Sequence, residues 1–431
     1  MSFNLNDASR PKAELVLNNI GELVTLSGSS AQPVRHPTIG SLGVLNTPDL
    51  CLASSSGKIA YIGRRADLGS ELSVGDSEEI DCKGKLVIPG FVDSHTHSLF
   101  AGSREQELSA KLEGASYLDI LKSGGGILKT VRETNKASDE QVVSQTVDRL
   151  KRMTANGTTT FEVKTGYSLT VSGEIRLLKL IEEIKLRNGF DIVPTLLSAH
   201  AVPTEYSGRS KAYISEVIFP SINIAAERKL ATFCDIFLED GVFDYRDSET
   251  ILLHASRAGL LSKIHADEFS DQGGAALGGK LGVTSADHLG QSSLEGMRAL
   301  ARSSAIAVLL PGTLFSSFVG IYARARQFID LGVPVAIATD LSPNSWIESM
   351  QFVISLACYG MRMTVEEALV GATINGAHAI ARATDVGSLE VGKRMDALVC
   401  EAENYRQVPY RIACNVVDKV IKNGKVIGSN V

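Results

Sequence analysis

The sequence has no run of lysine and arginine, no apolar stretch long enough to cross a bilayer and no Cys-x-x-Cys pair. Each absence removes a class of function. Cations number 43 against 49 anions, a formal net charge of −6, so neither nucleic acid nor an anionic membrane is expected as a partner. The six cysteines, Cys51, Cys82, Cys234, Cys358, Cys400 and Cys414, are scattered, and four lie within apolar strand-like or helical runs, as buried free thiols do. That usage suits a reducing compartment. The opening MSFNLNDASRPKAELVL lacks the basic-then-apolar order of a leader, and a cytoplasmic location is expected. Nucleotide-binding glycine motifs are missing too: no Gly-x-Gly-x-x-Gly opens a helix after an early strand, and Gly124-Gly125-Gly126 is not followed by Lys-Ser/Thr.

What is present is 431 residues, 44% hydrophobic and 21% charged, which suits one large domain plus a smaller one. Short β segments punctuated by Gly, Ser, Pro and Asn fill residues 13–82 and return at 396–427, with an Asn423-Gly424 hairpin signal. Both ends therefore predict one small β-sandwich domain, residues 1–85 plus 386–431. Between them, residues 86–385, eight apolar runs alternate with amphipathic stretches: 86–97, 157–164, 191–200, 232–239, 261–268, 283–289, 305–312 and 334–340. Eight strands with helical connectors predict an α/β fold, a (β/α)8 TIM-type barrel, ahead of an open doubly wound sheet.

Residues 89–97 read Pro-Gly-Phe-Val-Asp-Ser-His-Thr-His. Strand side chains repeat every two residues, so His95 and His97 face one side and can grip one cation through nitrogens about 2.0–2.1 Å away. In such a barrel the chemistry sits at the C-terminal strand ends. Here those ends carry His95 and His97 on the first run, Lys164 and Tyr167 at and just after the second, and His200 on the third. Glu239 ends the fourth, His265 and Glu268 the fifth, His288 the sixth and Asp340 the eighth. Five of the eight histidines thus converge on one mouth, which isolated core histidines would not do. His36, His254 and His378 fall outside the pattern and read as structural.

This arrangement resembles the amidohydrolase superfamily of metal-dependent barrel hydrolases. Residues 387–399, Gly-Ser-Leu-Glu-Val-Gly-Lys-Arg-Met-Asp-Ala-Leu-Val, are similar to that family's return from barrel to small domain. The resemblance implies His95, His97, His265 and Asp340 as ligands of one divalent metal ion, zinc or iron. The fourth run has no lysine to hold a second. Finer pieces resemble the imidazolonepropionase family: residues 97–104, the glycine run with residues 127–134, Glu162-Val163-Lys164-Thr165-Gly166-Tyr167, Ser198-Ala199-His200-Ala201-Val202-Pro203, and Ile264-His265-Ala266-Asp267-Glu268-Phe269. By that resemblance the substrate is a small molecule with a carboxylate, 4-imidazolone-5-propanoate. Arg104 pairs with the carboxylate, a bidentate match for a guanidinium. Tyr167, His200 and Glu268 line the site, followed by Ser342, Asn344 and Ser345.

The implied reaction is hydrolytic ring opening at the amide-like C–N bond, giving N-formimidoyl-L-glutamate. The cation brings the pKa of water from 15.7 towards about 7 so that hydroxide attacks the ring carbonyl, while Glu268, His288 and Asp340 manage protons and charge. One departure concerns residues 340–345, Asp-Leu-Ser-Pro-Asn-Ser, where the family usually reads Asp-Phe-Asn-Pro. Ser342 replaces an amide with a shorter donor and acceptor. A deaminase or a cyclic amidase of the same superfamily is the rival reading, and a non-catalytic metal-binding barrel the remote one. Arg104 with Tyr167 favours a carboxylate-bearing substrate over a bare base. Gly278-Gly279, in the helix expected after the fifth run, has no account at this level. A homodimer is left open.

Overall fold

The computed structural model describes residues 10–114, 124–318 and 320–429; residues 1–9, read above for a leader, lie outside them. Seven short strands come first: β1 (Leu15–Ile20), β2 (Glu22–Val24), β3 (Val44–Leu45), β4 (Leu50–Ser55), β5 (Lys58–Arg64), β6 (Glu78–Asp81) and β7 (Leu86–Pro89). The central strands are β8 (Phe91–Asp93), β9 (Thr158–Lys164), β10 (Ile192–Ala199), β11 (Phe233–Leu238), β12 (Leu261–Ala266), β13 (Ser285–His288), β14 (Ile306–Leu309) and β15 (Val335–Ile337). Three more follow, β16 (Ala397–Cys400), β17 (Val417–Lys422) and β18 (Lys425–Ser429).

Both termini build the outer sheets. One has the order β5-β4-β1-β6 and the other β18-β17-β16-β7-β2-β3. Alternation sets their faces: Leu15 and Leu17 point into a core shared with Val87, Ala397, Val399 and Ile421 of the second sheet, whereas Val16 points the other way, towards Leu68. The hairpin at Asn423-Gly424 forms with φ of 50° and 70°, the left-handed pair that a two-residue turn of this hand requires.

The eight central strands run parallel in sequence order from β8 to β15. The first and last edges meet beyond the strands. His97 N–H donates to the Leu341 carbonyl at 2.8 Å and Asp340 N–H to the His95 carbonyl at 3.1 Å. Asp93 adds side-chain closure, accepting from Thr339 N–H at 3.1 Å and its hydroxyl at 2.6 Å. The expected barrel is the fold, with one correction at its entry. Residues 86–97 read as a single strand, but the chain divides at Gly90: β7 pairs with β16 and β2 in an outer sheet, and only β8 joins the barrel. A Cβ on Gly90 would stand 2.2 Å from the Thr159 hydroxyl, so only glycine passes there.

Tertiary packing also explains Gly279, the second of the two glycines. The helix Gly274–Leu281 lies against Leu294–Ala301, and a Cβ on Gly279 would come within 2.6 Å of the Ala299 carbonyl oxygen. Close helix approach offsets the propensity cost. The capping box expected at Thr364 and Glu367 forms at the start of Val365–Gly371. No helix among the described residues is long and apolar enough to cross a membrane.

Candidate active site

The mouth of the barrel holds a compact imidazole and carboxylate cluster. His97 Nε2 lies 3.1 Å from His265 Nε2 and 3.6 Å from Asp340 Oδ1, and His95 Nε2 lies 3.5 Å from that same oxygen. Donors around a tetrahedral cation at about 2.0–2.1 Å stand about 3.3–3.4 Å apart, so these separations suit a shared ion. Burial agrees with it. His95 Nε2 is enclosed without a hydrogen-bond partner, a costly state unless it ligates. Two overlapping triads, His95/His97/Asp340 and His95/His265/His288, each bring their donor atoms within 4.8 Å of one another. The residues fit a divalent cation.

The neutral state that ligation needs is built in. Burial first, then the nearby Lys164 ammonium and neighbouring imidazoles, hold His95 well below the ordinary histidine value. His97 is depressed by burial and by His200, and His288 by burial and by His265. Two of the imidazoles are also aimed from behind. His95 Nδ1 sits 2.6 Å from Asp287 Oδ2 and His265 Nδ1 3.0 Å from Asp235 Oδ2, which turns both Nε2 atoms to the centre. The chain after His97 is pinned by buried Arg149, whose Nη1 donates to the Ser98 and Phe100 carbonyls at 2.9 Å each.

Around the centre, one small cavity of about 50 Å³ is lined by Tyr167, His200, Glu268, His288, Ser342 and Asn344, together with Arg104. At Arg104 and Asn344 it meets a larger, mostly apolar cavity of about 740 Å³. His200 stacks on His97 with ring centres 4.9 Å apart, and its Nδ1 lies 3.1 Å from the Gly166 carbonyl. Burial and then His265 push its pKa down to about 3. Glu268 moves the opposite way: burial, then the Asp340 and Glu239 carboxylates, lift its pKa far above the usual carboxyl range. His288 Nε2 lies 3.6 Å from Glu268 Oε2. His288 and Asp340 both take left-handed backbone, φ 74° and 50°, which aims residues beyond the regular strand ends.

Arg104 is not a bare fork. Its Nε and Nη2 donate to Glu107 Oε2 at 2.9 and 2.7 Å, and Nη2 lies 3.5 Å from Asn344 Oδ1, which also accepts from Lys111 at 2.8 Å. Glu107 Oε1 in turn accepts Gly126 N–H at 2.8 Å. With φ of 69°, Gly126 can present that N–H at its helix start, which gives the glycine run a local purpose.

Two stretches, residues 279–427 and 78–140, match the amidohydrolase family by sequence. An imidazolonepropionase from Alkaliphilus metalliredigens (strain QYMF) is 42% identical over 416 residues, 96% of this chain and 98% of that protein. Another, from Symbiobacterium thermophilum, is 42% identical over 419 residues, covering 96% and 97%. The chain belongs to the imidazolonepropionase family. Among solved structures, an adenosine deaminase from Xanthomonas campestris with bound zinc superposes with a TM-score of 0.71 at 18% identity, over 97% of this chain and 93% of that one. A triazine hydrolase from Arthobacter aurescens gives 0.73 at 15%, over 97% and 95%. These two share the fold.

In this imidazolonepropionase-family chain the structure brings His95, His97, His265, Asp340, Glu268, His288, Arg104, Tyr167, His200, Ser342 and Asn344 to one place. Ser345 is the exception. It does not line the cavity; its backbone closes a turn with Ser342, N–H to Ser342 Oγ at 3.2 Å and carbonyl from Ser342 N–H at 3.0 Å. Ser342 is thereby partly used as a turn closer, and the carboxamide facing the cavity comes from Asn344. Sequence reasoning missed Asp235, Asp287, Glu162, Glu107 and Thr313, whose hydroxyl donates to Asp340. A signal existed for Asp235. Ionisable residues inside fully apolar runs, as in Phe233-Cys-Asp-Ile-Phe-Leu238, must have partners.

Proposed function

We propose that the chain hydrolyses 4-imidazolone-5-propanoate to N-formimidoyl-L-glutamate, a step of histidine degradation, with one zinc or iron ion held by His95, His97, His265 and Asp340. The observation that carries this reading is the meeting of the imidazole–carboxylate cluster with Arg104 in one cavity, in a chain of this family. The ion's chemical contribution is hydroxide at neutral pH and polarisation of the carbonyl. Everything else falls to side chains.

Arg104 binds the propionate. Glu107 and Asn344 hold one edge of the guanidinium, so little rotamer freedom remains to be lost when the carboxylate docks. Tyr167 and His200 flank the ring, His200 as a neutral imidazole. Asp340, whose carboxyl burial lifts to about 6, takes the proton of the attacking water. His288, also neutral, donates to the oxygen that gains charge as the carbonyl becomes tetrahedral. When the C–N bond breaks, the departing nitrogen needs a proton, and Glu268, whose carboxyl burial and the Asp340 carboxylate lift far above the usual range, is the acid placed to give it. The products are the new carboxylate and the formimidoyl nitrogen.

The direct test is turnover of imidazolone propionate generated in place by urocanase from urocanate. Loss of its absorbance with formimidoylglutamate appearing supports the reading; no turnover by cation-loaded protein defeats the substrate assignment. Two variants probe the roles. Arg104→Gln is expected to raise KM by about 10–100-fold, the value of a charge-assisted hydrogen bond to the carboxylate, with a smaller change in kcat. An unchanged KM would remove Arg104 from the substrate. Because Glu268 must be protonated to act, kcat should fall as pH rises through its elevated pKa. Glu268→Gln should lower kcat by about 10²-fold and abolish that basic limb. A surviving limb assigns the proton to another group.

A further inference from the structure

Beneath the cation centre the barrel encloses a set of ionisable side chains with no exposure, among them Glu162, Lys164, Asp235, Lys263 and Asp287. Three carboxylates face two ammoniums in a space that apolar residues fill in most barrels, and burying ions is costly unless their arrangement is used. The contacts are unequal. Lys263 Nζ binds the Ser285 hydroxyl at 2.6 Å and the Ala379 carbonyl at 3.2 Å, and stands 3.5 Å from Asp287 Oδ2. Lys164 Nζ is 2.8 Å from Glu162 Oε1, 2.8 Å from Asp235 Oδ2 and 3.9 Å from Asp287 Oδ2. Those two aspartate oxygens are the ones facing Nδ1 of His265 and of His95. Lys164 also reaches the third ligand by backbone: its N–H donates to the Thr96 carbonyl at 3.0 Å, while Glu162 Oε2 accepts Thr96 N–H at 3.2 Å, between His95 and His97.

We propose that Lys164 is a positioning residue for the cation centre, its ammonium binding Asp235 directly and acting on Asp287 by charge from 3.9 Å, so that each carboxylate stays behind Nδ1 of its histidine and Nε2 is turned to the ion. The inference rests on the cation-centre reading and goes beyond it. A lysine that merely balanced charge would need one carboxylate; this one links carboxylates from three strands, β9, β11 and β13, at the point where two of them aim ligands. Losing it leaves Asp235 without its ammonium and Asp287 with Lys263 alone, and the imidazoles lose their fixed tautomer.

The test compares wild type, Lys164→Met, and Lys164→Met combined with Glu162→Gln. The double variant removes one charge of each sign, keeps the buried net charge, and leaves residue 162 a carbonyl oxygen for Thr96. Full-length protein stripped of metal is titrated with Zn²⁺ against a chromophoric chelator, its thermal unfolding is recorded, and the visible spectrum is taken after loading with Co²⁺. Wild type should bind one equivalent. Both variants should bind Zn²⁺ about 10–100-fold more weakly and show a shifted Co²⁺ spectrum, while the lowered melting temperature of the single variant recovers in the double. Should the single variant fail to fold, the double variant decides. Zn²⁺ affinity changed by less than about tenfold in the double variant, with an unaltered Co²⁺ spectrum, would reduce Lys164 to charge balance and overturn the proposal. Wild type that takes up no cation fails the centre itself, a different result from a variant that binds as wild type does.

Discussion

His265→Ala is expected to leave the purified protein without its cation and to lower kcat/KM for imidazolone propionate by about 10³-fold or more, because water then reverts towards its bulk pKa of 15.7. His265 is held close to the other donors. Its Nε2 lies 3.1 Å from that of His97, its Nδ1 3.0 Å from Asp235, and β12 pairs on both sides, in register with Phe237 and Asp287. Alanine removes the donor and opens a gap that no neighbour on these rigid strands can close. His200→Ala is the informative comparison, since His200 stacks on His97 but belongs to neither donor triad. It should keep one equivalent of metal by elemental analysis. A His265→Ala protein that retains both metal and turnover would remove this residue from the centre.

Asp191→Ala is expected to cost about 3–5 kcal/mol of folding stability in urea unfolding, with no direct effect on the site, because it strips the anion from a mostly buried cluster. Asp191 precedes β10 at the end of the barrel remote from the mouth, and its carboxylate binds Arg382 at 3.0 and 3.2 Å, Arg394 at 3.0 Å and Lys422 at 2.9 Å. Lys422 also binds Asp396 at 2.6 Å, so the cluster ties barrel to outer sheet. Burial alone would raise the Asp191 carboxyl, but Lys422 and Arg382 hold it well below the ordinary value. Its stabilising contribution is therefore complete above the unfolded pKa of about 3.9 and is lost as pH falls through the depressed folded value. Wild type should lose this contribution only in strong acid, and the variant should lack that part of the acid dependence. A loss below about 1 kcal/mol would mean that the remaining anions re-pair the three cations.

The barrel was readable because its signals are local. Ile306–Leu309 is apolar throughout and Ile192–Ala199 nearly so, as strands covered on both faces must be, and helical patterns separate them. The break at Gly90 was not readable. Leu86–Pro89 and Phe91–Asp93 look continuous, and only the choice of partners, β16 and β2 against β9, divides them. Gly279 likewise violates helix propensity until the Ala299 carbonyl is seen beside it.

By itself the sequence determined the parallel strand order, the strand ends that carry chemistry and the short list of residues converging there, because periodicity and strand-end position are properties of neighbours along the chain. Tertiary structure alone decided that Arg104 is held by Glu107 and Asn344, that Ser345 turns away while Asn344 faces the cavity, and that Lys164 lies beneath the centre between Asp235 and Asp287. Each of these pairs or triplets is assembled across strands or loops whose relative register is set only when the barrel closes. Hydrogen bonds and ion pairs depend on distances of a few tenths of an ångström, and sequence spacing does not carry that information between segments far apart in the chain.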